Sequence, residues 1–109
     1  MNTSLIDSLR AQCGGPRDGA LLRFSLGNAL LNAGDHAAAA AEFRRAVSFD
    51  PAYSAAWKLL GKACLVMQDE AGAADAWRQG IAVARQRGDK QAEKEMTVFL
   101  RRIEQKGEG

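Results

Sequence analysis

A register of 34 residues runs through the middle of this chain, and a period of that length limits the possible folds more than any other feature. Displacing residues 18–51 onto 52–85 superimposes Leu26 on Leu60, Gly27 on Gly61, Ala29 on Ala63 and Leu31 on Leu65. Further along it superimposes Asp35 on Asp69, Ala37 on Ala71, Ala39 on Ala73, Ala40 on Ala74 and Arg44 on Arg78. The alanine matches carry less weight because alanine is common here. Similar pairs carry more: Phe43/Trp77 keeps an aromatic ring and Val47/Ile81 keeps a β-branched side chain.

Helix signals fall at matching places in both copies. In the first, Leu22, Leu26, Ala29, Leu30 and Ala33 form a three-four stripe. Gly34 and Asp35 then end one helix and cap the next. A second stripe follows through Ala39, Ala40, Phe43, Ala46 and Val47, closed by Asp50-Pro51. The second copy starts at Ser54 as N-cap, runs through Trp57, Leu60, Gly61 and Cys64, and caps its next helix with Asp69. Ala73, Trp77, Ile81 and Ala84 line that helix. Each copy is therefore two antiparallel helices joined by a very short turn.

Trp57-x2-Leu60-Gly61 followed by Ala73-x3-Trp77, and Leu26-Gly27 followed by Ala39-x3-Phe43, Ala46 and Pro51, resemble the tetratricopeptide repeat pattern. The chain departs from it at Arg23, where Trp is expected, and at Leu30 and Cys64, where Tyr is expected. Arg85 replaces the closing Pro of the second copy, which predicts a helix running on to about Arg87. The resemblance implies an all-α fold of antiparallel helix-hairpin repeats, an α-solenoid coiled as a right-handed superhelix. Gly27 and Gly61 are then expected where helices cross closely, opposite Ala39 and Ala73, with Phe43 and Trp77 filling the space between hairpins.

Around two repeats, at 18–51 and 52–87, the two ends are expected to act as covers. Residues 88–109 begin with Gly88-Asp89, a stop and a cap, after which Ala92, Met96, Phe99, Leu100 and Ile103 recur at helical spacing. This reads as the capping helix that repeat arrays need, with a frayed tail from Gln105 to Gly109. Residues 1–17 hold a short helix starting after Ser4, with Leu5, Ile6, Leu9 and Cys13 on one side, ended by Gly14-Gly15-Pro16. It either packs against the first hairpin or forms a mobile tail. The pieces add up to about six helices.

Little in the chain points to chemistry. The single histidine, His36, follows the capping Asp35 and is expected to be a solvated turn residue, with no second histidine for a triad. Cys13 and Cys64 stand far apart with no metal-ligand spacing around them. They are expected as free thiols, Cys64 acting as a small core residue. Gly14-Gly15 leads into Pro16 and not into a phosphate-binding Lys-Ser/Thr. These absences speak against an enzyme and against a cofactor. A net charge of +2 is too even for a nucleic-acid or anionic-membrane partner. No apolar run spans a bilayer or serves as a signal core, so the expected compartment is the cytoplasm.

The reading left standing is a module that binds another protein or peptide. In the tetratricopeptide repeat family the first helix of each repeat lines a concave groove. Helical geometry puts Leu21, Phe24, Asn28, Leu31 and Asn32 on that face in the first copy, and Ala55, Lys58, Leu59, Lys62 and Leu65 in the second. Ala92, Met96 and Phe99 are expected to contribute from the end helix. The groove is thus expected to be apolar with two ammonium groups one turn apart. Phe24 has an alternative place under the amino-terminal helix, and the lysines have one as ordinary solvated charges. Some family members grip chaperone tails with a set of Lys, Asn and Arg residues. Asn28 matches one position of that clamp, but Phe24 and Leu59 replace others, so chaperone-tail binding is not expected. The alternative function is structural: a homodimer formed through a Met96/Phe99/Leu100 face.

Overall fold

The computed structural model describes residues 3–108, with side chains from Ser4 to Lys106. Residues 1 and 2, and Gly109 of the expected frayed tail, lie outside the described residues. Six helices follow one another: α1 Thr3–Gln12, α2 Ala20–Asn32, α3 His36–Phe49, α4 Ser54–Val66, α5 Glu70–Arg87 and α6 Lys90–Glu108. They build an elongated slab of 44 × 28 × 18 Å. The chain belongs to the all-α class of helical-repeat folds.

Three helices start on the same device. Asp35, Asp69 and Asp89 each accept a hydrogen bond from the backbone N–H three residues on, at Ala38 (3.1 Å), Gly72 (2.9 Å) and Ala92 (3.1 Å). Each satisfies a donor that the first helical turn would leave without a partner. Ser54 does not play this part. It is the first helical residue of α4, Tyr53 is the N-cap, and the Ser54 hydroxyl lies 3.4 Å from Asp89 Oδ2.

The turn inside each hairpin requires one residue in the left-handed region. Gly34 holds it in the first, at φ 86°, and Gln68, thirty-four positions later, holds it in the second at φ 63°. α5 then runs to Arg87 and stops on Gly88 at φ 72°. That extra turn, in place of a closing proline, moves the next helix on by two positions. α4 and α6 therefore correspond at an offset of 36, with buried Ala56 and Leu60 matched by buried Ala92 and Met96.

One core runs the length of the array. Leu26, Leu30, Phe43, Leu60, Cys64, Trp77 and Met96 belong to a single buried cluster. Ala46, Val47 and Ala56 form a smaller one where the first hairpin meets the second. The repeat register explains both close crossings. A Cβ on Gly27 would lie 2.7 Å from Phe43 Cε1, and one on Gly61 would overlap the indole of Trp77. Trp77 cannot easily yield, because its Nε1 donates to the Lys58 carbonyl at 3.1 Å.

Both ends are helical and meet their neighbours. α1 buries Ile6 and packs Leu9 and Cys13 against the core, while Leu5 stays exposed. α6 continues to Glu108, where Lys106 Nζ reaches Glu70 Oε1 on α5 at 3.0 Å. His36 is the first residue of α3 and half-buried, its Nδ1 shielded without a hydrogen-bond partner, so it is not a freely solvated turn residue. Cys13 and Cys64 are both free thiols.

Candidate functional site

The groove-facing stripe on α2 is partly where helical spacing puts it. Leu21 is 70% exposed, Asn28 and Asn32 are exposed, and Leu31 is half-buried against the core. Phe24 is different. Its ring stacks on Tyr53 at 4.9 Å and tilts against Phe43 at 5.8 Å. It therefore joins the two hairpins while remaining half-buried. The reason is the incoming chain before α4, which places Tyr53 on the Phe24 side of α2.

On α4, Lys58, Lys62 and Leu65 share a face as expected, but the structure gives both lysines neighbours on α6. Lys58 Nζ stands 3.6 Å from Glu95 Oε1, and Lys62 Nζ lies 5.0 Å from the centre of the Phe99 ring. The pair is therefore not a free twin-ammonium patch. Lys58 is compensated, whereas Lys62 remains exposed and sits on the negative face of an aromatic ring. Leu59 and Ala55 are half-buried.

Met96 leaves the groove altogether. It is 0% exposed and stands at the position that Leu60 holds in α4, against Gly80. Ala92 is buried beside it for the same reason: an amphipathic end helix turns its apolar stripe to the core. The apolar face expected for a homodimer loses its central residue with Met96, and Phe99 and Leu100 are half-buried against the same core.

Helical spacing did not find one concavity on the surface. A cleft of about 550 Å³ opens between the end of α4, the start of α5 and the second half of α6. Leu65, Trp77, Phe99 and Ile103 supply its apolar lining. Arg102 and Lys106 stand at its border with Glu70. Phe99 tilts against Trp77 at 5.2 Å, which makes the floor aromatic. Ile103 follows Phe99 by one helical turn, so the apolar wall was visible in the α6 spacing. Its opposition to the first turn of α5 was not.

Outside this cleft, an ion-pair network on Arg23 ties the loop before α2 to α3. Arg23 donates from Nε and Nη2 to the two Asp18 oxygens at 2.8 and 2.9 Å, and from Nη1 to Glu42 at 3.0 Å. The Arg23 hydrogen bond, helped by the Gly14 N–H, holds the Asp18 carboxyl at about 2, below its ordinary value. Burial raises the Cys64 thiol above its ordinary value. Among the described residues no cluster of His, Cys, Asp and Glu has metal-holding geometry, and no helix is long and apolar enough to cross a membrane.

The comparisons agree with this architecture. The sequence profile of the Tetratricopeptide repeat family matches residues 20–63, from α2 into α4. A TPR repeat-containing protein of Pseudomonas aeruginosa is 54% identical over 100 residues, covering 92% of this chain and 95% of that protein. A Bordetella parapertussis protein with a known solution structure is 42% identical with a TM-score of 0.79, over 97% of this chain and 90% of that one. A tetratricopeptide repeat domain protein from Salinibacter ruber is 28% identical with a TM-score of 0.74, over 80% of this chain and 97% of that one. The fold commonly mediates protein–protein interaction, and the family is generally of scaffold type. From the repeat register, the close Gly/aromatic crossings and these likenesses together, the chain belongs to the tetratricopeptide repeat family.

Proposed function

We propose that this chain is a protein-binding module that holds a segment of a partner protein against the α4 and α6 side of its concave face. One observation carries the reading: exposed Leu65 on the predicted groove stripe also lines the cleft between α4, α5 and α6, beside Phe99 and Ile103. A concave, mostly apolar site with a few polar groups at its edge is the usual form of a binding site. Lys62 belongs to the same surface through its contact with Phe99. Leu21, Asn28 and Leu31 extend the face along α2. Phe24 and Met96 have no part in it.

The proposal is tested by co-purification from cells of the source organism, comparing wild type with a Leu65→Asp, Lys62→Glu variant. Both positions are exposed, so the variant should keep its helical circular dichroism. Loss of the associated proteins from the variant is the expected result. Equal recovery with both forms would sink the groove assignment.

A further inference from the structure

We infer that the cleft between α4, α5 and α6 anchors the bound segment, and that its occupant is an acidic stretch carrying one large apolar side chain. This deepens the protein-binding reading and rests on it. The floor sets the apolar requirement. Leu65, Trp77, Phe99 and Ile103 line a space of about 550 Å³, and Val66 and Met67, which follow Leu65 in the chain, are exposed as well. Clefts of roughly 300–1,000 Å³ are the size that encloses a small ligand, and an anchoring side chain is a ligand of that kind.

The border sets the charge. Arg102 and Lys106 stand on it, and Lys62 lies over the ring of Phe99, one of its lining residues. Glu70 is the one carboxylate among the lining residues, and Lys106 already engages it at 3.0 Å. The described acidic residues of α6 are engaged elsewhere: Glu93 with Arg85, Glu95 with Lys58, and Glu104 with Arg78. Arg102 and Lys62 have no carboxylate within 4.0 Å among the described residues. The mouth is thus electropositive, which attracts an acidic segment and repels a basic one. Lys106 is exposed and Glu70 partly so, and such pairs are weak, so a ligand carboxylate can take Glu70's place on Lys106.

The test selects a phage-displayed library of random nonapeptides on the immobilised full-length chain, then titrates the enriched sequence as a synthetic peptide. The expected consensus has a large apolar residue flanked by Asp or Glu. Its amide shift changes should centre on Leu65, Phe99 and Ile103. Arg102→Glu should weaken the peptide at least tenfold, and Glu70→Gln should tighten it severalfold by freeing Lys106, with both variants remaining helical. A neutral or basic consensus overturns the inference, as does an unchanged affinity for Arg102→Glu. An acidic consensus whose shifts fall on Leu21 and Asn28 overturns the anchoring subsite and leaves the concave-face reading standing. No enrichment at all removes both.

Discussion

The two hairpins solve the same packing problem with different side chains. In both, a glycine on the first helix lets an aromatic ring of the second come close: Gly27 under Phe43, Gly61 under Trp77. The positions around that crossing diverge. Trp57 donates from its indole to the carbonyl of Pro51 at 2.8 Å, in the loop before its helix. Arg23, at the same register position, also reaches back to the loop before its helix, but through a two-pronged ion pair with Asp18. The first hairpin meets its successor through Ala46, Val47 and Ala56, while the second meets α6 through Gly80 and Met96. Backbone register is thus kept where helices cross, and the chemistry varies where loops and neighbours differ.

The largest expected effect sits at the second junction. Met96→Ala removes a fully buried side chain and should cost about 2–5 kcal/mol in urea unfolding. A loss below about 1 kcal/mol would mean that α6 does not continue the core as α4 does. Next comes the crossing itself. Gly61→Leu forces a side chain into the hydrogen-bonded Trp77 and should lower stability by roughly 1–3 kcal/mol. Wild-type thermal unfolding of that variant would break the shared register of the two hairpins.

A smaller change of opposite sign is expected at the turns. Gln68 adopts the left-handed conformation that Gly34 holds in the first hairpin, and such a residue is strained by roughly 1–2 kcal/mol relative to glycine. Gln68→Gly should therefore raise the unfolding free energy by about 1 kcal/mol or less after the loss of chain stiffness. A destabilised variant would show that the glutamine side chain makes up for the strain.

The Arg23 arrangement should appear chiefly as a pH dependence. The folded Asp18 carboxyl lies near 2, below its unfolded value of about 3.9. Its contribution is then fully present above pH ~4 and is lost as pH falls toward 2. Asp18→Asn should unfold at lower urea than wild type at pH 7, with the two midpoints converging between pH 4 and 2. A gap that persists at pH 2 would assign the effect to shape and not to charge. The smallest expected signal is chemical. A thiol reagent should modify half-buried Cys13 in the native protein and leave buried Cys64, whose thiol is pushed up by burial, untouched until unfolding. Equal labelling rates would contradict the packed second hairpin.

Much of the fold was legible because its determinants repeat. The Gly/aromatic pairs, the capping aspartates and the run-on of α5 to Arg87 each follow from local spacing and composition. The candidate site was legible only in outline. Spacing placed Leu21, Asn28, Lys62 and Leu65 on accessible surface, yet it did not foresee the Phe24–Tyr53 stack or the burial of Met96. Helical periodicity separates one side of a helix from another, but it cannot say which side a neighbouring element will cover. Tyr53 claims Phe24, and the two-residue shift created by the longer α5 turns Met96 inward.

By itself the sequence determined the repeat, the order of its helices, and the family. Those properties depend on contacts within a turn or within a hairpin, which a 34-residue register records directly. The tertiary structure alone decided that Lys58 is compensated by Glu95, that Lys62 rests on Phe99, and that Glu70 faces Lys106 across the mouth of a cleft. Those pairs join residues about 36 positions apart on different helices. Their distances depend on how the last helix lies across the second hairpin, a packing geometry that no local pattern encodes.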